Sequence, residues 1–284
     1  MTTLVGVLGW PVSHSRSPAM HNAAFQAVGL DWRYERLPVE PERFDAFVHE
    51  LPGRGFAGAN VTIPHKLRAL AIADQASEVA RATGAANTLS FTEAGIEAEN
   101  TDVEGFLSAL RERAPDAPAG MEALVLGAGG AARAVVYALI QAGAARISVW
   151  NRHPKRAQEL VQELSQSPGG PGLEAVEAAD IPRPDLIVNA TPVGMAANED
   201  EEELKELGQG VKDLPLSADV WGDRLIVVDL VYRQNGTPLA RLARSRGAVC
   251  VDGFDVLVHQ GAASFQVWTG VEAPLGAMRS GAKH

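Results

Sequence analysis

Two groups of residues in this 284-residue chain have the types and spacing to do chemistry. The first is Gly127-Ala128-Gly129-Gly130-Ala131-Ala132-Arg133, which follows the apolar run Ala123-Leu124-Val125-Leu126 and opens a further apolar segment. Between a strand and a helix, G-x-G-x-x-[GA] binds the pyrophosphate of a dinucleotide. Gly127 permits the tight turn, Gly129 lets backbone approach a phosphate, and Ala132 lets the helix lie against the strand, so that helix N–H groups meet the anion. The next strand ends at Trp150, and Asn151-Arg152 stand where a carboxylate for the ribose is usual, with Arg156 shortly after. A carboxylate would repel a 2′-phosphate and a guanidinium binds one bidentately, so these residues point to NADP rather than NAD. The bland alternatives are a glycine turn without a ligand and a solvated arginine.

The second group is built around Lys66. Asn60-Val61-Thr62-Ile63-Pro64-His65-Lys66 reads as a strand end, a proline near a helix start and a lysine in the first helical turn. A cation there opposes the helix dipole, at about 0.3–1 kcal/mol on an exposed site, so its presence hints at function. Carbonyl reduction needs a proton donor beside the carbonyl oxygen. The tyrosine-x-x-x-lysine solution fails, because Tyr34, Tyr137 and Tyr232 are followed four positions later by Pro38, Gln141 and Gly236. Cys250 is the single cysteine and the seven histidines form no H-x-x-x-H pair, so no metal site is expected. Lysine remains as the candidate donor, with a surface lysine as its alternative.

The elements that must position these residues alternate strands with helices, the signature of parallel α/β sheets. In the first half, strands are expected at Leu4 to Leu8, Trp32 to Leu37, Gly58 to Thr62 and Asn87 to Phe91. Helices are expected at Pro18 to Val28, Pro41 to Glu50 and His65 to Asp74; an extended piece, Ile96 to Glu99, leads to a helix near Asp102. In the second half strands are expected at Ala123 to Leu126, Ile147 to Trp150, Asp185 to Asn189, Leu225 to Asp229 and Ala248 to Val251, with a last helix about Val256 to Thr269. The breaker-rich stretch Ala114 to Gly120 is the candidate linker between the two strand series. Gln166 to Gly172 reads as a loop, and Glu199 to Glu206, six carboxylates against Lys205, as a solvated helix start.

Composition bounds the whole. At 46% hydrophobic and 21% charged the chain is an ordinary globular protein of about two domains. Its longest aliphatic run, Leu225-Ile226-Val227-Val228, is far short of the roughly 20 residues that span a bilayer. The N-terminus lacks a basic segment and a small-residue cleavage site, so a cytoplasmic protein is expected. A lone Cys250 suits a reducing compartment. The net charge of -10 disfavours nucleic acid and anionic membranes as partners.

Eight motifs, in order along nearly the whole chain, carry a resemblance. They are Ser13-His14-Ser15-Arg16-Ser17-Pro18, Asn60 to Lys66, Gly84-Ala85-Ala86-Asn87-Thr88, Asn100-Thr101-Asp102-Val103-Glu104-Gly105, Gly127 to Ala131, Asn151-Arg152, Asn189 to Met195, and Asp252-Gly253 with Gln260-Gly261-Ala262-Ala263. Together they resemble the NADP-dependent shikimate/quinate dehydrogenase family, and in particular shikimate dehydrogenase. The resemblance implies an N-terminal α/β substrate domain, residues 1–105 with about 256–284 returning to it, and a C-terminal Rossmann domain of doubly wound parallel sheet, 106–255, with the active site in the cleft between them. It implies reversible reduction of 3-dehydroshikimate to shikimate by NADPH, in chorismate and aromatic amino acid biosynthesis, by a monomer or homodimer. A quinate/shikimate enzyme of broader specificity and a non-catalytic NADP-binding sensor are the rival readings.

By the same resemblance Lys66 and Asp102 are the proton-transfer pair, and Ser15 and Ser17 hold the substrate carboxylate. Thr62, Asn87, Tyr232 and Gln260 take the ring hydroxyls. Gly127, Ala128, Gly129, Gly130, Ala131, Asn151, Arg152 and Arg156 take the nucleotide, and Thr191, Leu230, Gly253 and Glu78 lie toward the nicotinamide. Two plainer readings stand beside these: Ser17 as an N-cap before Pro18, and Asp102 as a first-turn acid within a Thr101-x-x-Glu104 capping box. The chain departs from the family pattern at His153, at Arg233-Gln234 and at Asp255, and in the length of its acidic segment after Met195.

Overall fold

The computed structural model describes residues 2–165, 170–195, 211, 213–217, 220–221 and 224–283. The run Glu199 to Glu206, and residues 166–169 of the expected loop, lie outside the described residues. The chain forms two compact units, residues 1–105 with 257–284, and residues 106–256.

Unit 1 is built on strands β1 (Thr3–Gly9), β2 (Trp32–Pro38), β3 (Phe56–Val61), β4 (Gln75–Ala76), β5 (Thr88–Thr92) and β6 (Gly95–Glu99), in the order β2-β1-β3-β5-β6-β4. Its helices are α1 (Ser17–Ala27), α2 (Phe44–Glu50), α3 (Lys66–Ala71), α4 (Glu78–Thr83) and α10 (Leu275–Lys283), with the start of α5 (Asp102–Arg113) and most of α9 (Gly253–Thr269). β1 is paired on both sides and fully buried from Val5 to Gly9, which explains its unbroken apolar character. The expectation of a parallel sheet is corrected here: β5 runs antiparallel to both β3 and β6. Only Glu93 and Ala94 separate β5 from β6, and a two-residue connection makes a hairpin but never a parallel crossover. The helix expected from Pro41 to Glu50 is a 3-10 turn, Pro41–Arg43, followed by α2. Leu8, Phe44, Val48, Val61 and Leu89 centre the core, each side chain worth about 1.5–3 kcal/mol on burial.

Small residues bring the later helices onto this unit. A Cβ at Gly281 of α10 would lie 2.6 Å from Ala19 O in α1, and one at Gly105 of α5 would lie 2.5 Å from Gln260 Cβ in α9. Glycine at 105 is therefore what allows α9 to present Gln260 beside the start of α5.

Unit 2 carries β7 (Glu122–Leu126), α6 (Gly130–Gln141), β8 (Arg146–Trp150), α7 (Pro154–Leu164), β9 (Gly172–Ala175), β10 (Leu186–Asn189), β11 (Ile226–Asp229), α8 (Pro238–Ser245) and β12 (Val249–Val251). All its strand pairs are parallel, in the order β12-β11-β10-β7-β8-β9. Counted within the unit this is the 3-2-1-4-5-6 order of a doubly wound dinucleotide fold, whose switch point lies between β7 and β10. Register then aligns the strand ends: Leu126 pairs with Trp150 and Asn189, and Asn189 with Asp229. The residues that follow, Gly127, Asn151, Ala190 and Leu230, start from one row at the carboxyl edge of the sheet.

Candidate active site

In unit 1 the site grows from the break after β3. Thr62 N–H bonds Leu8 O at 2.8 Å, and His65 N–H bonds Thr62 O at 2.9 Å, turning the chain into α3. His65 is buried, its ring stacked on Phe44 at 4.4 Å and its Nε2 2.9 Å from Val39 O; burial pushes its pKa down. Lys66 is the first residue of the helix thus anchored. Its Nζ donates to Asp102 Oδ2 at 2.7 Å, with side chains 13% and 18% exposed, so the pair is screened from bulk water but reachable. Asp102 opens α5, and its backbone N–H is held by Asn100 Oδ1 at 3.1 Å.

Asn87 ties this pair to the sheet. Its Nδ2 donates to Asp102 Oδ1 at 2.9 Å, Thr101 Oγ1 at 3.0 Å and, more weakly, Gln260 Oε1 at 3.3 Å. Its Oδ1 accepts from Thr101 N–H at 2.7 Å, and the Thr101 hydroxyl belongs to this buried network with Asn87 and Thr88. Structure thus joins Lys66, Asp102, Asn87 and Gln260 in one hydrogen-bonded cluster. Asp102 is more than a first-turn acid, since both carboxylate oxygens are engaged by side chains from other elements.

Ser15 and Ser17 are buried at the entry to α1. The N-cap position falls on Arg16, and Ser17 is the first helical residue, with its N–H 3.3 Å from Ser15 Oγ; the N-cap reading of Ser17 is corrected by one residue. Arg36 Nη2 donates to Ser15 O at 2.8 Å and fixes the loop. Among the described residues neither the Ser17 nor the Thr62 hydroxyl has a hydrogen-bond partner, which leaves both free for a ligand. Tyr232 belongs to unit 2 and leans on Phe254 with ring centroids 5.1 Å apart. Glu78 is exposed in the first turn of α4.

In unit 2 Gly127 has φ +113°, its N–H bonds Trp150 O at 2.7 Å, and a Cβ would lie 2.9 Å from Ala190 O. Both the turn and the approach to the neighbouring strand end require glycine. Gly129 caps α6, and a Cβ there would meet nothing within 4 Å. Gly129 is exposed and Ala128, Gly130 and Ala131 are half-buried, so the start of α6 is open at Gly129, as close approach of a phosphate to a helix N-terminus requires. Asn151 Nδ2 holds His153 O at 3.0 Å, and Arg152 and Arg156 are exposed around the start of α7. Thr191 is held through its N–H (3.1 Å) and hydroxyl (2.6 Å) by Asn189 Oδ1, and Leu230 N–H bonds Asn189 O at 3.0 Å. Gly253 is a packing glycine, since a Cβ would lie 2.5 Å from Val231 O.

Known proteins are similar to nearly the whole chain. Residues 7–89 match the shikimate dehydrogenase substrate binding domain, 110–198 the shikimate / quinate 5-dehydrogenase family, and 253–280 the shikimate 5'-dehydrogenase C-terminal domain. A shikimate dehydrogenase (NADP(+)) of Methanopyrus kandleri is 44% identical over 283 residues, 98% of this chain and 94% of that protein. The chain belongs to the shikimate dehydrogenase family. A further family member, the shikimate dehydrogenase (NADP(+)) of Rubrobacter xylanophilus, is 43% identical across 98% of this chain and 94% of its own. The solved shikimate 5-dehydrogenase of Thermus thermophilus, in complex with NADP(H) and shikimate, matches with a TM-score of 0.83 and 38% identity over 99% of each chain.

Several buried polar residues of this shikimate dehydrogenase family member were not singled out as site candidates by the sequence. Asn60 Nδ2 bonds Thr88 Oγ1 at 3.0 Å and Asn87 O at 3.2 Å, while its Oδ1 accepts from Tyr34 OH at 2.8 Å. Its signal was its place inside the Asn60 to Lys66 motif. His21 is fully buried with neither ring nitrogen hydrogen-bonded, stacked on Tyr34 at 4.4 Å, and burial pushes its pKa down to about 3. Asp229 is fully buried at the end of β11, and desolvation pushes its pKa up to about 6 against the lowering effect of its hydrogen bonds from Thr237, Val231 and Asn189. A charge ending an aliphatic run was its only mark in the sequence.

Proposed function

We propose that this chain catalyses the reversible reduction of 3-dehydroshikimate to shikimate with NADPH. The observation that carries the reading is the 2.7 Å contact of Lys66 Nζ with Asp102 Oδ2, in a cluster that also holds Asn87 and Gln260. A bound nicotinamide supplies the hydride for the forward reaction and accepts it in reverse. Lys66 Nζ gives a proton to the ketone oxygen as the alcohol forms, and takes it back in the other direction. Asp102 aims the ammonium, and Asn87 fixes the rotamer of Asp102 through the second carboxylate oxygen. Ser15 and Ser17 take the ring carboxylate, where hydroxyls and α1 N–H groups converge. Thr62, Asn87, Gln260 and Tyr232 take the ring hydroxyls.

On the nucleotide side, the Gly127 to Ala131 turn would hold the pyrophosphate, Arg152 and Arg156 the 2′-phosphate, and Thr191, Leu230 and Gly253 the nicotinamide edge. Glu78 is the most peripheral of these assignments, being an exposed first-turn acid. Cys250, whose thiol is pushed up to about 11 by burial, fits a reducing cytoplasm. Among the described residues no helix is long and apolar enough to cross a membrane, and no group of His, Cys, Asp and Glu could hold a metal ion.

The test is NADPH absorbance with 3-dehydroshikimate, beside NADH, and the reverse assay with shikimate and quinate. Lys66→Ala is expected to lower kcat by roughly 10²–10⁴-fold, the usual range for a general acid, with NADPH affinity unchanged. Wild-type turnover in the variant would remove Lys66 from the reaction, and no turnover in the wild type would leave only a nucleotide-binding module.

A further inference from the structure

The reaction above makes no use of Asp229, although it is an ionisable side chain with no exposed surface. Its environment is one-sided. Thr237 donates its hydroxyl to Oδ2, while Val231 N–H and Asn189 Nδ2 donate to Oδ1 at 3.1 and 2.9 Å. No cation is paired with it among the described residues, and a carboxylate buried without a counter-charge is retained only where such hydrogen bonds replace water. The three donors lie on different segments. Thr237 caps α8, accepting from Ala240 N–H at 3.1 Å. Val231 lies two residues beyond the end of β11, directly after Leu230. Asn189 ends β10.

Asn189 is saturated by these contacts. Its two amide hydrogens go to Asp229 and, at 3.3 Å, to Val193 O, and its oxygen takes both the N–H and the hydroxyl of Thr191. Thr191 Oγ1 in turn accepts from Val193 N–H at 3.2 Å. A connector with no unused hydrogen-bonding capacity transmits the placement of its anchor. Here the anchor is Asp229, and the far end is the turn after β10. We infer that Asp229 is a positioning residue of the nicotinamide side of the site, holding Thr191 through Asn189 and the Leu230–Val231 peptide directly, in a fixed register at the carboxyl edge of the sheet. The inference rests on the reading of Thr191 and Leu230 as cofactor residues.

Three variants test it. Asp229→Ala removes the oxygens to which Thr237, Val231 and Asn189 all donate. Thr237→Val breaks the Thr237 link alone, and Thr191→Val cuts the connector at its far end. Steady-state kinetics should show kcat/KM for NADPH falling roughly tenfold in each, about 1.4 kcal/mol, with KM for 3-dehydroshikimate changed less than threefold, because of the substrate residues only Tyr232 shares the unit of Asp229, while Ser15, Ser17, Thr62, Asn87 and Gln260 stand in the other. Asp229→Ala combined with Thr237→Val should lose no more than Asp229→Ala alone, since the Thr237 link is already absent. Should one variant fail to fold, the other two carry the same expectation. Folded variants with wild-type NADPH parameters, or with both KM values raised in parallel, would overturn the positioning role. If the wild type binds NADPH but does not turn over, the dehydrogenase reading fails by itself. The inference is then judged on the NADPH Kd from fluorescence titration, weakened Kd in the variants supporting it and unchanged Kd refuting it.

Discussion

Lys66 sits where a helix least favours a cation, at the first residue of α3, with only 13% of its side chain exposed. Isolated, it would face both the dipole and the cost of leaving water. Asp102 at 2.7 Å offsets both as the counter-charge of the ammonium. Removing the charge from the partner while keeping its shape should therefore hurt more than removing any single ring-hydroxyl contact. Asp102→Asn is expected to reduce kcat by roughly 10- to 100-fold, with the NADPH Kd unchanged. Stopped-flow turnover together with nucleotide titration would check this; equal losses in kcat and nucleotide affinity would mean that the variant disturbs the fold rather than the proton.

At the scale of elements, the decisive feature is the row of strand ends at β7, β8, β10 and β11. Gly127 leaves that row at φ +113° with Ala190 O on its side-chain face. Gly127→Ala must accept a strained dihedral and a contact 2.9 Å from a backbone oxygen, so it is expected to cost about 1–3 kcal/mol in urea denaturation and to weaken NADPH at least tenfold. A wild-type midpoint and Kd would show that the turn relaxes freely. This part of the molecule was legible because a buried parallel strand, a glycine turn and an apolar helix each leave a local pattern. What was not legible lacked such a pattern. β9 is largely exposed, so no apolar alternation marks it, and the β5–β6 hairpin is revealed by a two-residue connector rather than by the strands themselves. Lys66 announced itself by opposing the dipole, whereas Asn60, Asn100 and Thr101 matter through partners 14 to 28 residues away, which spacing along the chain does not disclose.

At the scale of the whole molecule, two buried titratable groups in different units drive acid stability in opposite directions. His21 in unit 1 is neutral in the fold, with its pKa at about 3 against 6.5 unfolded, so the unfolded chain binds more protons between those values. Its contribution is complete above pH 6.5 and is lost as pH falls toward 3. Asp229 in unit 2 has a folded pKa of about 6 against 3.8 unfolded, so here the fold binds more protons. Its contribution is complete below 3.8 and is lost as pH rises through 6. Going from about pH 7 to about pH 5 should therefore weaken unit 1 by about 2 kcal/mol through His21 and strengthen unit 2 by about 1 kcal/mol through Asp229. The two terms oppose each other in a single global transition and separate if the units unfold independently, a distinction that calorimetry and urea titration at both pH values would reveal. His21→Phe keeps the stack on Tyr34 and removes two orphaned ring nitrogens, so it should abolish the acid weakening of unit 1. Asp229→Asn should abolish the acid strengthening of unit 2, leaving a protein more acid-labile than the wild type. If both variants follow the wild-type pH dependence over that range, neither group is the titrating one, and other carboxylates and histidines govern the acid limit of this fold.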